Sequence, residues 1–145
     1  MIAIGCDHGG YELKEFIKKE FDKKSIAYED VGAFSAESVD YAPIAARAAG
    51  LVASGKAEKG LLFCGTGIGM SMAANKIRGI RAAVCSEEFS AELTRRHNDA
   101  NILCLGGRVV SPEMALKLVE LFLGTEFEGG RHERRVGQIM ALENS

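Results

Sequence analysis

Residues 60 to 76 read Gly60-Leu61-Leu62-Phe63-Cys64-Gly65-Thr66-Gly67-Ile68-Gly69-Met70-Ser71-Met72-Ala73-Ala74-Asn75-Lys76. A short apolar run ends in a cysteine, alternating glycines follow, and a helical pattern begins. This is one strand–turn–helix unit, a strand over Gly60 to Cys64 and a helix over Ile68 to Lys76. The same unit recurs on both sides of it. Upstream, Met1 to Cys6 reads as a strand, and Tyr11 to Lys24 carries Leu13, Phe16, Ile17 and Phe21 at helical spacing. Ser25 to Val31 reads as a second strand. Gly32 to Tyr41 is a polar loop, and Ala42 to Ser54 an alanine-rich helix with Pro43 in its first turn. Downstream, Arg81 to Cys85 is a fourth strand, Glu87 to Arg96 a helix and Asn101 to Leu105 a fifth strand. Ser111 to Leu123 is a helix with Ser111 as its N-cap and Pro112 at its first position. A last helix runs from Arg131 to Glu143.

Strands alternating with helices through short loops predict a parallel sheet covered on both faces. The right-handed crossover rule makes it a doubly wound, Rossmann-like α/β three-layer sandwich: a five-stranded parallel sheet with an additional C-terminal helix. Ligands in such folds bind outside the carboxyl ends of the strands, where strand order reverses. The loops at Asp7-His8, at Cys64 and at Cys85-Ser86-Glu87 are therefore expected to meet at one crevice. No linker, repeat or low-complexity tract divides residues 1–145, so a single domain is expected.

The chain has 145 residues, 47% hydrophobic and 26% charged, which suits one globular domain with a real core. A formal net charge of −2 argues against a nucleic-acid partner. No run approaches the roughly 20 apolar residues of a membrane span. Met1 to Asp7 is too short for a signal peptide and has no basic lead, so a cytoplasmic location is expected. Cys6, Cys64, Cys85 and Cys104 form no C-x-x-C pair and have no histidine at metal-ligand spacing, so no metal site is expected. Cys6 and Cys85 read as structural.

The glycine loop can bring its backbone close to a ligand, with the N–H groups of the following helix aimed at the same place. It does not match three phosphate signatures. Lys76 comes too late for G-x-x-x-x-G-K-S/T, and the spacing is G-x-G-x-G rather than G-x-G-x-x-G. Met70 stands where the arginine of a Cys-x5-Arg phosphatase loop belongs. An oxyanion hole is the better reading. Cys64 at the head of that loop is placed to be a nucleophile or a base, with burial at the end of a strand as the plain alternative. Asp7 suits an N-cap, and with His8 it also suits sugar hydroxyls and phosphate. His97 and Asn98 read as a helix C-cap, Asn98 left-handed, although a histidine there can also move protons. Arg131 and Arg135 share a face in the first turn of the last helix, where cations oppose the macrodipole. That placement points to a bound anion, and Arg108 is a candidate third guanidinium.

These parts resemble the ribose-5-phosphate isomerase B family, which includes the subunits of galactose-6-phosphate isomerase. The resemblance spans essentially the whole chain. It rests on Gly5-Cys6-Asp7-His8, Asp40-Tyr41, Cys64 to Gly69, Ala73-Ala74-Asn75-Lys76, Cys85-Ser86, His97 to Asn101 and Gly129-Gly130-Arg131-His132. It implies an aldose–ketose isomerase of sugar phosphates, with no metal and no cofactor. Cys64 would move a proton between C1 and C2. Gly65, Thr66, Gly67, Ile68 and Gly69 would hold the enediolate through backbone N–H groups. His97 would help open the sugar ring. Asp7, His8 and Asn98 would bind substrate, and Arg108, Arg131 and Arg135 its phosphate. The family places its site between two subunits, implying a homodimer, or a tetramer built from one, with the C-terminal arginines supplied by the partner. One branch of the family uses a glutamate where this chain has Met70, so the resemblance implies the cysteine branch. D-Ribose 5-phosphate and D-ribulose 5-phosphate are the expected pair. Allose or galactose 6-phosphate is the alternative substrate, and a non-catalytic phosphosugar-binding module the alternative function.

Overall fold

The computed structural model describes residues Met1 to Ser145. Five strands form one sheet: β1 (Ile2–Cys6), β2 (Tyr28–Asp30), β3 (Lys59–Cys64), β4 (Ala82–Val84) and β5 (Ile102–Gly106). Their order is β2-β1-β3-β5-β4, and every pairing is parallel. The helices are α1 (Tyr11–Lys23), α2 (Ala42–Ala53), α3 (Ile68–Ala74), α4 (Glu88–Arg96), α5 (Pro112–Gly124) and α6 (Arg131–Ala141). Short 3-10 turns cover His8–Gly10 and Leu142–Asn144.

The sheet is buried on both faces, which is why β1 and β5 are uninterrupted apolar runs rather than alternating ones. One face packs against α1, α4 and α5 through Leu13, Ile17, Phe21, Ala91, Leu118 and Phe122. The other packs against α2 and α3 through Ile44, Ala48, Val52, Met70 and Ala74. The alanines of α2 let it lie close to the strands.

The sequence-based boundaries hold to within a few residues, with two informative exceptions. The second strand begins at Tyr28, not Ser25. Ser25 takes φ 56° and completes a Schellman cap on α1, in which Ile26 N–H donates to the Phe21 carbonyl at 2.9 Å and Ser25 N–H to that of Asp22 at 3.3 Å. The second exception is the end of α4, where Asp99 (φ 48°), not Asn98, is the left-handed residue. Its carboxylate is held by Arg95 at 2.8 Å and by Arg81 at 3.4 Å, and that pairing fixes the turn one residue later. The Ser111 cap is as expected, accepting from Met114 N–H at 3.1 Å.

Crossovers leave β1 toward β2 and leave β3 toward β4, in opposite directions across the sheet. The crevice therefore lies between the carboxyl ends of β1 and β3. Strand register sets Cys6 opposite Phe63 and Cys64 opposite Gly106, so three strands end level. The first turn closes on the third strand so tightly that a methyl group on Gly10 would collide with the Phe63 carbonyl.

Beside the crevice, Lys14 is fully buried and pairs with Asp30 at 2.9 Å. Lys18 reaches the other Asp30 oxygen at 2.8 Å. The Lys14 ammonium also donates to the Ala33 carbonyl, so it ties the loop after β2 to α1. Burial alone would raise the Asp30 carboxyl, but hydrogen bonds from Lys18 and Lys14 outweigh it and hold the group below its ordinary range.

Asp30→Ala strands a buried ammonium and should cost about 3–5 kcal/mol, read as a lower urea midpoint. The stability Asp30 adds is present above the unfolded carboxylate pKa of about 3.9 and is lost as pH falls through the lower folded value. An unchanged midpoint at neutral pH would show that the Ala33 carbonyl alone suffices for Lys14. Gly10→Ala meets immovable backbone and should cost at least the 1–3 kcal/mol typical of overpacking. Gly65→Ala meets only the end of the Arg108 side chain, 3.1 Å away, and should keep the wild-type melting profile.

Candidate active site

Two sets of polar residues occupy opposite edges of the sheet. At the carboxyl edge, β1 delivers Asp7 and β3 delivers Cys64. Asp7 Oδ1 accepts from Gly9 N–H at 2.8 Å, so the expected cap is present, on the 3-10 turn that leads into α1. His8 is exposed, and its Nδ1 accepts from Val39 N–H at 3.3 Å. That bond leaves the proton of the neutral ring on Nε2, free to donate toward a ligand.

Cys64 is buried, and its Sγ accepts the Gly67 N–H at 3.0 Å. Gly67 has φ 84°, a conformation glycine adopts without strain, and it starts α3. The Gly65, Thr66, Gly69 and Met70 N–H groups donate to no protein acceptor. The Ile68 N–H is occupied by Thr66 Oγ1 at 3.2 Å. A set of unused donors beside a sulfur can receive an anion. Gly69 has no room for a side chain because the Tyr41 ring lies where its Cβ would be, at 2.8 Å. Gly107 N–H donates to the Cys64 carbonyl at 2.7 Å and Arg108 N–H to that of Gly65 at 3.0 Å. These bonds bring the Arg108 guanidinium over the glycine loop.

The other three cysteines differ in kind. Burial pushes the Cys6 thiol up to about 11 against the pull of the Lys14 ammonium. Burial, helped by Glu87, pushes Cys85 to about 11, and Cys104 lies well above the ordinary range for the same reason of burial. All three remain neutral thiols near neutral pH. The Met70 side chain is fully buried among α2, α3 and the sheet.

The remaining expected residues lie elsewhere. Helix α4 runs antiparallel to the strands and ends at their amino edge, carrying His97 and Asn98 with it. Arg81, just before β4, binds the Asn98 carbonyl at 3.1 Å and so confirms the edge. Helix α6 lies at the same edge: His132 stacks on His97 with ring centroids 4.2 Å apart and 10° between planes. Glu143, past its other end, accepts from Gly79 N–H at 2.7 Å. Arg131 and Arg135 belong to this helix. A five-residue strand alone spans roughly 13 Å, so one protomer does not bring His97, Asn98, Arg131 or Arg135 to Cys64. The sequence assigned no role to Tyr41, Val39, Glu128 or His132. An aromatic ending a polar loop was a faint signal for Tyr41, whereas the His97–His132 stack depends on the packing of α6.

No helix is long and apolar enough to cross a membrane. The model of the family described as Ribose/Galactose Isomerase matches residues 2–139. Ribose-5-phosphate isomerase B of Escherichia coli strain K12 is 49% identical over 142 residues, 98% of this chain and 95% of that protein. Among solved structures, ribose-5-phosphate isomerase B of Clostridium thermocellum superposes with TM-score 0.97 at 49% identity, covering 99% of this chain and 97% of that one. The Mycoplasma genitalium ribose-5-phosphate isomerase B structure with bound ribulose-5-phosphate gives TM-score 0.95 at 39% identity, covering 99% and 96%. With the family model matching nearly the whole chain and a relative 49% identical over 98% of it, the chain belongs to the ribose/galactose isomerase family.

Proposed function

We propose that the protein is an aldose–ketose isomerase that interconverts D-ribose 5-phosphate and D-ribulose 5-phosphate through an enediolate, with a homodimer as the working unit. The observation that carries this reading is Cys64 Sγ beside the unused N–H groups of its own loop. Cys64, as thiolate, takes the C2 proton of the open-chain aldose. The electron pair left behind moves into the C1–C2 bond and places negative charge on oxygen. The N–H groups of Gly65, Thr66 and Gly69 hold that charge, which is the step where preorganised donors matter most. Return of the proton from sulfur to C1, with transfer of the O2 proton to O1, gives the ketose and restores the thiolate. Asp7 and His8 bind hydroxyls on the crevice wall, and Arg108 faces the same loop.

The two-edge arrangement supports a shared site. His97 for ring opening, Asn98 for a hydroxyl, and Arg131 and Arg135 for the phosphate come from a second copy, whose amino edge meets this carboxyl edge. Ile68, Met72, Val84, Phe89 and Val109 are exposed apolar side chains around the glycine loop and the edge strand β4. Such a patch on a small chain suits burial against a partner. The four free cysteines fit the reducing cytoplasm we propose as its location.

Cys64→Ala should fold normally and lose about 10²–10⁴-fold in kcat, measured with ribose 5-phosphate alongside allose and galactose 6-phosphates. In deuterated water the wild type should exchange the C2 proton and the variant should not. Retained turnover would sink the base assignment, and binding without exchange would point to a non-catalytic module. A mixing experiment checks the shared site. Cys64→Ala and His97→Asn, each inactive alone, should regain activity when co-expressed, because one of the two sites in the mixed dimer is then intact. No recovery from a demonstrated mixed dimer would place both residues in the same chain's site.

A further inference from the structure

Three donor side chains from separate segments meet at the amino edge. His97 closes α4, Glu128 lies between α5 and α6, and His132 is in the first turn of α6. One ligating atom from each lies within 4.8 Å of the other two. His132 Nε2 is 3.6 Å from Glu128 Oε1, close to the ~3.3 Å between neighbouring ligands on a tetrahedral zinc with bonds of about 2.0–2.1 Å. Two imidazoles and one carboxylate form a borderline donor set, suited to zinc, cobalt, nickel or copper rather than to calcium or magnesium.

The site is partly built. Glu128 is anchored through its N–H, which donates to the Arg96 carbonyl at 3.1 Å, and His132 is buried and donates its N–H to the Gly129 carbonyl at 3.1 Å. Two features oppose binding. Arg96 Nη1 stands 4.0 Å from Glu128 Oε2 and competes for the carboxylate. The parallel rings also require His97 to turn before one ion can reach both, and its half-exposed place at a helix end leaves room for that. Both features select for ions of high intrinsic affinity.

We propose that His97, Glu128 and His132 bind one divalent transition-metal ion of the zinc type, and that the ion inhibits isomerisation by withdrawing His97 from ring opening. The inhibitory half rests on the function proposed above. The binding half does not, and the reaction itself remains metal-independent.

The test titrates chelator-treated full-length protein with Co²⁺. One ion per protomer should bind with the visible bands of nitrogen and oxygen ligands and without near-ultraviolet sulfur-to-cobalt charge transfer. Glu128→Gln should bind at least about 10-fold more weakly. Zn²⁺ should inhibit the wild type over the range in which it binds, while Glu128→Gln, with near wild-type turnover free of metal, should need at least about 10-fold more. Absence of binding, or a thiolate band that reports Cys64 instead, overturns the site. Binding at the histidines with undiminished turnover overturns the inhibition and the ring-opening role of His97, while the metal site stands.

Discussion

The level ends of three parallel strands are the constraint on which the rest depends. Because β1, β3 and β5 run the same way and stop together, every loop leaving them is at one edge. Every loop entering them is at the other. The carboxyl edge collects backbone donors, a sulfur and Asp7. The amino edge collects the ends of α4 and α5 and the whole of α6, and with them imidazoles and guanidinium groups. The contact of Gly10 with Phe63 then closes the first turn onto the third strand. That packing holds the turn after Asp7 against the strand that ends in Cys64.

The four cysteines are all buried but sit in different surroundings. Cys6 is in the apolar layer of α1 and α5, and Cys104 is sealed in the middle of the sheet. Cys85 is also packed into the core. For each, desolvation disfavours the thiolate; at Cys6 it outweighs the pull of Lys14, and at Cys85 the Glu87 carboxylate adds to it. Cys64 is also buried, yet its sulfur turns toward the glycine loop and accepts a backbone N–H. Identity of residue type and position at a strand end were shared by several of these thiols. The difference lies in what the chain does next, and only Cys64 is followed by glycines that leave N–H groups unspent.

Much of this was legible in the sequence, and for local reasons. Strand and helix positions followed from apolar runs and periodicity, and the Ser111 cap from its own hydroxyl. The glycine loop was readable because only its composition allows such close backbone approach. What the sequence obscured was set by contacts between distant segments. Ser25 reads as the start of a strand because β-region residues surround it, but Ile26 docks on Phe21 and the helix cap wins. Asp99 displaced Asn98 as the left-handed residue because Arg95 and Arg81 converge on its carboxylate. The division of the site residues between two edges was invisible in a list of motifs, since spacing along the chain says nothing about which end of a sheet a helix reaches. Tracing the direction of α4 decides it.

That division also accounts for a feature that one protomer alone leaves unexplained. Arginines at the start of α6 face the positive end of their own helix, an unfavourable place for cations with nothing bound. Nor does α6 repay them by burial, since His132 is its only buried residue. In the homodimer we propose, a second copy would resolve both problems, because its carboxyl edge would supply the sugar phosphate as counter-charge and its exposed apolar residues a surface to cover. In that arrangement the proposed catalytic sulfur and phosphate cations would sit on different chains, so neither protomer would have to hold a guanidinium cluster beside a thiolate in its own core. Closing that proposed dimer would exclude water from the enediolate, and the unused N–H groups of the glycine loop would be worth most in that drier setting.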